Sequence, residues 1–298
     1  MLRVLSAGLA VVALWAVGAC SVKSMGISRM ADALSATASS YSRDDDPEFV
    51  RAAAPSTLKM VEMLLDQQAA HPGLLMTACS GFTQYAYAFL QVDAEMTEGT
   101  AAARELRGRA GRMYDRAREY CLRALDVSHP GLRETIRRDV KAALAKTTVA
   151  DVPALFWSGV AWGGSIAVAD SPLPRLGEVG IVRALLTRAV ELDEAWESGA
   201  IHEAMIALEG VPPLLGGSPV RARTHFDRAV ALSKGESAFA YVTMAASVSQ
   251  PARDRAEFEK LLRAALAIDV ARRPALRLSN LIAQRRARFL LTQMNRLF

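Results

Sequence analysis

His202-Glu203 comes closest to a catalytic signature. In a zinc-protease helix two histidines four residues apart ligate the metal and the glutamate between them acts as base. Residue 206 is Ile206, so the second ligand is missing. The four histidines (71, 129, 202 and 225) never pair at i, i+4, and no Cys-x-x-Cys occurs, which leaves a zinc site without support. Gly163-Gly164-Ser165 lacks the second half of a nucleophile elbow. Gly216-Gly217-Ser218 has no following lysine and follows no strand, so it is not a phosphate loop. The sequence therefore predicts a non-enzymatic protein with neither metal nor cofactor.

Three other stretches could bind rather than react. In Phe82-Thr83-Gln84-Tyr85-Ala86-Tyr87-Ala88-Phe89-Leu90-Gln91, helical spacing puts Phe82, Tyr85 and Phe89 on one face and Gln84, Tyr87 and Gln91 on another. Four of the chain's 19 aromatics fall within eight residues here, so the segment reads either as a ligand wall or as a packed helix. Asp151-Val152-Pro153-Ala154-Leu155-Phe156-Trp157 leads on to Trp162-Gly163-Gly164, with Asp151 placed to cap the helix and Pro153 in its first turn. Glycine inside a helix costs about 1 kcal/mol, so close packing or ligand approach must compensate. In the last helix Asn280, Gln284 and Arg288 align at i, i+4, i+8 beside a stripe of Leu278, Ile282, Arg285 and Phe289. That is a solvated basic face or, if turned inward, a partner for a carboxylate.

A fourth site is covalent. Arg3 is the only charge in the first 22 residues and precedes an apolar run over 4–16, which is signal-peptide length and too short to span a bilayer. The run ends in Val17-Gly18-Ala19-Cys20, where small residues suit a peptidase cleft and Cys20 offers a thiol to lipid. This resembles a bacterial lipoprotein signal, which implies that 1–19 is removed and Cys20 becomes the lipidated N-terminus. Ser at position 21, by resemblance to Gram-negative lipoproteins, implies the periplasmic side of the outer membrane.

The elements that must position these residues are helices. The chain has 298 residues, 51% hydrophobic but only 6% aromatic, with mean hydropathy +0.14. That composition excludes a disordered chain or a disulfide scaffold. The formal charge of +5 is spread along the chain and falls by one when Arg3 is removed, too diffuse for nucleic acid. After a polar tether over 20–43, Asp44-Asp45-Asp46-Pro47 reads as a helix start. Breaks follow at His71-Pro72-Gly73, His129-Pro130-Gly131, Ser171-Pro172, Pro212-Pro213, Gly216-Gly217, Gln250-Pro251 and Arg273-Pro274. No alternating β-branched stretch intervenes, so 44–298 is predicted to be a single all-α domain.

Several helices share one spacing of small, large and small residues: Ala110, Tyr114 and Ala117; Val182, Leu186 and Ala189; Ala222, Phe226 and Ala229; Phe258, Leu262 and Ala265. The spacing matches the second helix of a tetratricopeptide (TPR) repeat, and it predicts a solenoid-like array of helical hairpins with about four cryptic repeats. Cys79 and Cys121 fall in helical apolar patterns. An oxidising compartment permits a disulfide, but the pattern favours two small buried thiols.

Taken together, Phe82-Thr83-Gln84-Tyr85-Ala86-Tyr87-Ala88-Phe89, Asp151-Val152-Pro153-Ala154-Leu155-Phe156-Trp157, Ala200-Ile201-His202-Glu203 and Asn280-Leu281-Ile282-Ala283-Gln284-Arg285-Arg286-Ala287 resemble the TRAP transporter T-component family over about residues 40–298. These are TPR-containing lipoproteins associated with tripartite ATP-independent periplasmic transporters. The resemblance implies a homotrimer with a pore or cleft through each protomer, a periplasmic solute-binding (P) component as partner, and a small hydrophobic or amphiphilic ligand carrying a carboxylate. On that reading Phe82, Tyr85, Tyr87, Phe89, Trp157 and Trp162 supply apolar wall, while Gln84, His202, Gln284 and Arg288 orient the polar head. The alternative is a TPR scaffold that grips peptides along an open groove lined by exposed Arg and Asn ladders.

Overall fold

A computed structural model describes residues 29, 32–33, 38–171 and 173–298. The proposed signal over 1–19, lipidated Cys20 and most of the tether lie outside the described residues.

The helices start where the sequence supplies caps. Asp46 accepts from the backbone N–H of Glu48 and Phe49 and opens α1 (Pro47–Gln67), with proline in its first turn. The His71 ring nitrogen accepts from the Leu74 N–H and opens α2 (Pro72–Tyr85). This helix continues through a π-helical turn at Ala86–Gln91 into Val92–Met96. Thr100 caps α3 (Ala101–Ser128). Then follow α4 (Val152–Ala167), α5 (Val179–Asp193) and α6 (Ala200–Glu209). Ser218 caps α7 (Pro219–Ser233). Next is α8 (Ala238–Met244), which runs on through a second π-helical turn at Ala245–Ser249. Asp254 caps α9 (Arg255–Leu266), and α10 (Arg277–Thr292) ends the array. Short helical turns fill the connections, and no strand occurs among the described residues. No described helix is long and apolar enough to cross a membrane.

Consecutive helices pair as hairpins: α2 with α3, α4 with α5, α6 with α7, α8 with α9. All twelve residues of the repeated phrase are buried, on α3, α5, α7 and α9. Small side chains there let a neighbouring helix approach closely, and the larger one fills the gap between them. The interior glycines do the same from the other side. A Cβ at Gly164 would lie 2.6 Å from the Tyr114 ring, and one at Gly159 would lie 2.8 Å from the Leu186 side chain. Close packing therefore accounts for both positions.

The α2–α3 hairpin carries a correction. Cys79 and Cys121 form a disulfide across 42 residues of chain, where the sequence pattern favoured two buried thiols. Both views agree on burial. The bridge forms because the two apolar faces meet at the same level, with the Cα atoms 4.8 Å apart.

The two ends of the array meet. The short helix Ala38–Ser42 packs against α10, and the Arg277 guanidinium donates to the Arg43 carbonyl at 3.1 Å. Arg285 and Arg286 of α10 bond to Asp93 and Glu95, just beyond the first π-helical turn. Asp151 sits at the N-cap of α4, but its carboxylate turns back to the Thr148 N–H at 2.7 Å and to the His129 ring at 2.9 Å. Burial pushes this carboxyl up, but the Thr148 and His129 hydrogen bonds outweigh it and hold its pKa below the ordinary aspartate value.

Candidate functional site

The residues singled out by type and spacing do not gather in one place. Phe82 is buried in the core of the α2–α3 hairpin and stacks on Tyr120 at 6.0 Å. Tyr85 tilts onto Phe89 at 5.6 Å, and the Arg51 guanidinium lies 4.8 Å from the Phe89 ring. Gln84 is exposed. Trp157 is half-buried, edge-on to Phe156 at 4.8 Å. Trp162 is fully buried, and its indole N–H donates to Glu178 at 2.7 Å. The Gln284 amide donates to the carbonyls of Ala265 and Ile268 at 3.1 and 2.8 Å, which satisfies the C-terminal end of α9. Arg288 is exposed. Asn280, aligned with both, is buried, accepting from the Ala238 N–H and donating to the Glu236 carbonyl.

Of the ten, Tyr87 reaches a polar constellation drawn from several helices. The π-helical turn carries Tyr87 and Gln91, and such turns are frequent at functional sites. The Tyr114 hydroxyl, from α3, donates to Gln91 Oε1 at 2.6 Å. Arg286, from α10, holds Glu95 through two bonds of 2.6 and 3.1 Å and donates to Tyr87 Oη at 3.4 Å. Phe239, from α8, lies 5.3 Å from the Tyr87 ring. Glu203, from α6, accepts from the Ser237 hydroxyl at the start of α8. Five segments thus converge on one cluster of rings and charged groups. Tyr87, Glu203 and Arg286 retain surface within reach of water, 16% for the Arg286 side chain. Yet burial is the largest influence on the titration of all three.

The electrostatics of this cluster are uneven. Burial would lower Arg286, but Tyr87 and Glu95 beside it raise its pKa above the ordinary arginine value. Burial raises both tyrosines, so they stay neutral phenols. Burial raises Glu203 to about 7, with only the Ser237 hydrogen bond opposing. A carboxyl raised from 4.5 in this way contributes stability below its unfolded pKa that is lost as pH rises through about 7. Glu203→Gln is therefore expected to flatten the fall in urea midpoint between pH 5 and about 8. An unchanged pH profile in the variant overturns that assignment.

Of the residues in this cluster, Glu95, Tyr114, Glu203, Phe239 and Arg286 carry no functional mark in the sequence reading. Glu203 was visible only as part of a failed zinc motif, and its neighbour faces elsewhere. His202 lines an outer cleft of about 430 Å³ with Glu194, His225 and Arg228. Its Nδ1 is 2.8 Å from His225 Nδ1, and its Nε2 is 3.4 Å from Glu194, which Arg228 clamps. Burial lowers the pKa of both rings. Among the described residues no group of three or more His, Cys, Asp or Glu could hold a metal ion.

A family model described as TRAP transporter T-component matches residues 43–298. A relative from Treponema pallidum (strain Nichols), described as an uncharacterized protein, is 29% identical over 259 residues. That alignment covers 84% of this chain and 80% of the relative.

Proposed function

The chain belongs to the TRAP transporter T-component family, and from that premise we propose that it is a lipid-anchored, non-catalytic partner of a tripartite ATP-independent periplasmic transporter. It docks the periplasmic solute-binding component and holds a small amphiphilic ligand in a chamber at the cluster between α3, α6, α8, α10 and the first π-helical turn. The observation that carries this reading is the convergence of rings and polar groups, deep yet accessible, at the place where the array closes. A site of mixed apolar wall and few polar groups is what a small amphiphile requires. Lipid on Cys20 would hold the protein at the periplasmic side of the outer membrane.

Self-association has a surface to use. On α1, Phe49, Ala52, Ser56, Met60 and Met63 form one outward stripe at three- and four-residue spacing, with Phe49 and Met63 each 63% exposed. An unpartnered apolar stripe of this kind supports assembly with further copies, the trimer implied by the resemblance. A ligand carboxylate at Arg286 would have to displace Glu95, whereas Arg285 is held by Asp93 through Nη2 and leaves its buried Nη1 without a hydrogen-bond partner. The scaffold alternative needs an exposed Asn ladder, and Asn280 is spent inside the fold.

Native mass spectrometry of the lipidated chain, released from detergent with and without the solute-binding protein, tests this reading. The expected result is an oligomer that retains a small molecule and captures the binding protein. A bare monomer with no small molecule and no affinity for that partner overturns it.

A further inference from the structure

The outer cleft holds a contact that fixes where its protons sit. His202 on α6 and His225 on α7 face each other with their Nδ1 atoms 2.8 Å apart. At that distance one nitrogen carries a hydrogen and the other is bare. Glu194 decides which. Arg228 clamps its carboxylate and holds the pKa below the ordinary glutamate value, so Glu194 only accepts. It takes the hydrogen of His202 Nε2 at 3.4 Å, which leaves His202 Nδ1 bare. His225 therefore donates from Nδ1, and its Nε2 is where the pair can gain one proton with the bond intact. A second proton has only His202 Nδ1 to go to, and there two N–H groups would face each other at 2.8 Å.

We propose that the His202–His225 contact is an acid-released latch between α6 and α7, which a second proton opens by drawing His202 to Glu194 and freeing His225. Solvent reaches the pair through the cleft of about 430 Å³, whose rim residues Thr224, Asp227 and Arg228 are exposed. The surroundings oppose the first proton as well. Burial is the largest influence on both rings and lowers their pKa. At His225 the His202 ring, Arg221 of α7 and Arg183 of α5 act in the same direction, against Glu209 of α6. At His202, Glu194 favours the cation and Arg228 opposes it. The other acids of the packed helices are engaged elsewhere, Glu203 with Ser237 and Glu257 of α9 with Arg223. In the unfolded chain each ring takes a proton near the ordinary value of about 6.5, whereas the closed pair takes at most one. The latch therefore contributes stability above that pH and loses it as pH falls. Glu203 acts in the opposite sense, its contribution being lost as pH rises through about 7, so the two titrations are separable. The latch does not depend on a ligand at the Tyr87 cluster.

Hydrogen exchange of the full-length protein at pH 7 and pH 5, corrected for the intrinsic pH dependence of amide exchange, tests the latch. Protection of α6 and α7 relative to α2 and α3 is expected to fall at least about tenfold, the mass action of one proton taken by the open pair and refused by the closed one. The chain has four histidines, so spectra of protein labelled with 15N-histidine resolve them singly. At pH 8 His202 should carry its proton on Nε2 and His225 on Nδ1, and His202 should titrate well below the ordinary value of about 6.5. His202→Gln keeps an acceptor for His225 and cannot take the second proton, so its relative protection should no longer fall in acid. Equal relative protection at the two pH values overturns the latch, and so does a fall shared equally by α2 and α3. Two rings titrating at the ordinary value, or an undiminished fall in a folded His202→Gln variant, overturn it as well. If His202→Gln fails to fold, the exchange and the histidine spectra of the unaltered protein still decide.

Discussion

Cys121→Ser lowers the stability of this protein by about 4 kcal/mol, the loop-closure entropy of a bridge spanning 42 residues. The bridge links α2 to α3 inside a core of Leu74, Leu75, Ala78, Phe82 and Ala117, so both cysteines are wholly buried. Without it, the unfolded chain regains the freedom of the whole intervening segment while the folded contacts remain nearly intact. At roughly 2–4 °C per kcal/mol for a domain of this size, the thermal midpoint should fall by roughly 10 °C. Cys79→Ser and the double variant should match the single one, because all three lose the same link. Adding a reductant to the unaltered protein should reproduce the shift once the buried sulfurs are exposed by partial unfolding. Equal midpoints in reduced and oxidised protein would show that the bridge contributes nothing.

Trp162→Ala comes next in size, at about 3–5 kcal/mol, the usual cost of deleting a buried indole. Trp162 has no exposed surface and sits between two guanidinium groups, with Arg118 at 5.0 Å and Arg137 at 4.8 Å from its ring. Its N–H donates to Glu178, which Arg137 also holds at 2.7 Å. Removing the indole leaves a cavity and takes away the surface on which both cations stack. Burial already lowers the pKa of Arg118, so this guanidinium has little hydration to fall back on. Trp162→Phe keeps a ring face but loses the donor and part of the buried volume, so about 1–2 kcal/mol is expected. Urea denaturation followed by circular dichroism measures both. A loss below about 1 kcal/mol for the alanine variant would place Trp162 outside the structural core.

Much of the helical framework was legible because its causes are local. Pro47, Pro72 and Pro219 stand in first turns behind Asp46, His71 and Ser218, and each cap satisfies backbone donors within three residues. The small–large–small phrase was legible because helical periodicity alone decides which side chains share a face. The candidate site was legible only in part. The aromatic cluster led to Tyr87, but the π-helical turn at 86–91 changes the facing of the residues that follow it, and no spacing rule announces such a turn. Gln284 and Asn280 showed the right alignment on α10, yet their amides serve helix ends. Periodicity places a side chain on a face without saying what the face meets.

His202 and Glu203 show the same limit on one short helix. They are adjacent in sequence, and α6 turns one to the outer cleft with His225 and the other to Ser237 at the start of α8.

By itself the sequence determined the class of fold, the helix boundaries marked by proline or glycine, and the crossing points, since these depend on propensity, caps and periodicity within a few residues; the breaks at 97–100, 194–199 and 234–237 were not among them. The tertiary structure decided the disulfide, the closure of the array and the cluster around Tyr87. Those depend on which distant faces meet: Arg286 reaches Glu95 across 191 residues of chain, and Cys121 reaches Cys79 across 42. No local preference encodes such a meeting, because the energy that favours it comes from burying whole helix faces together.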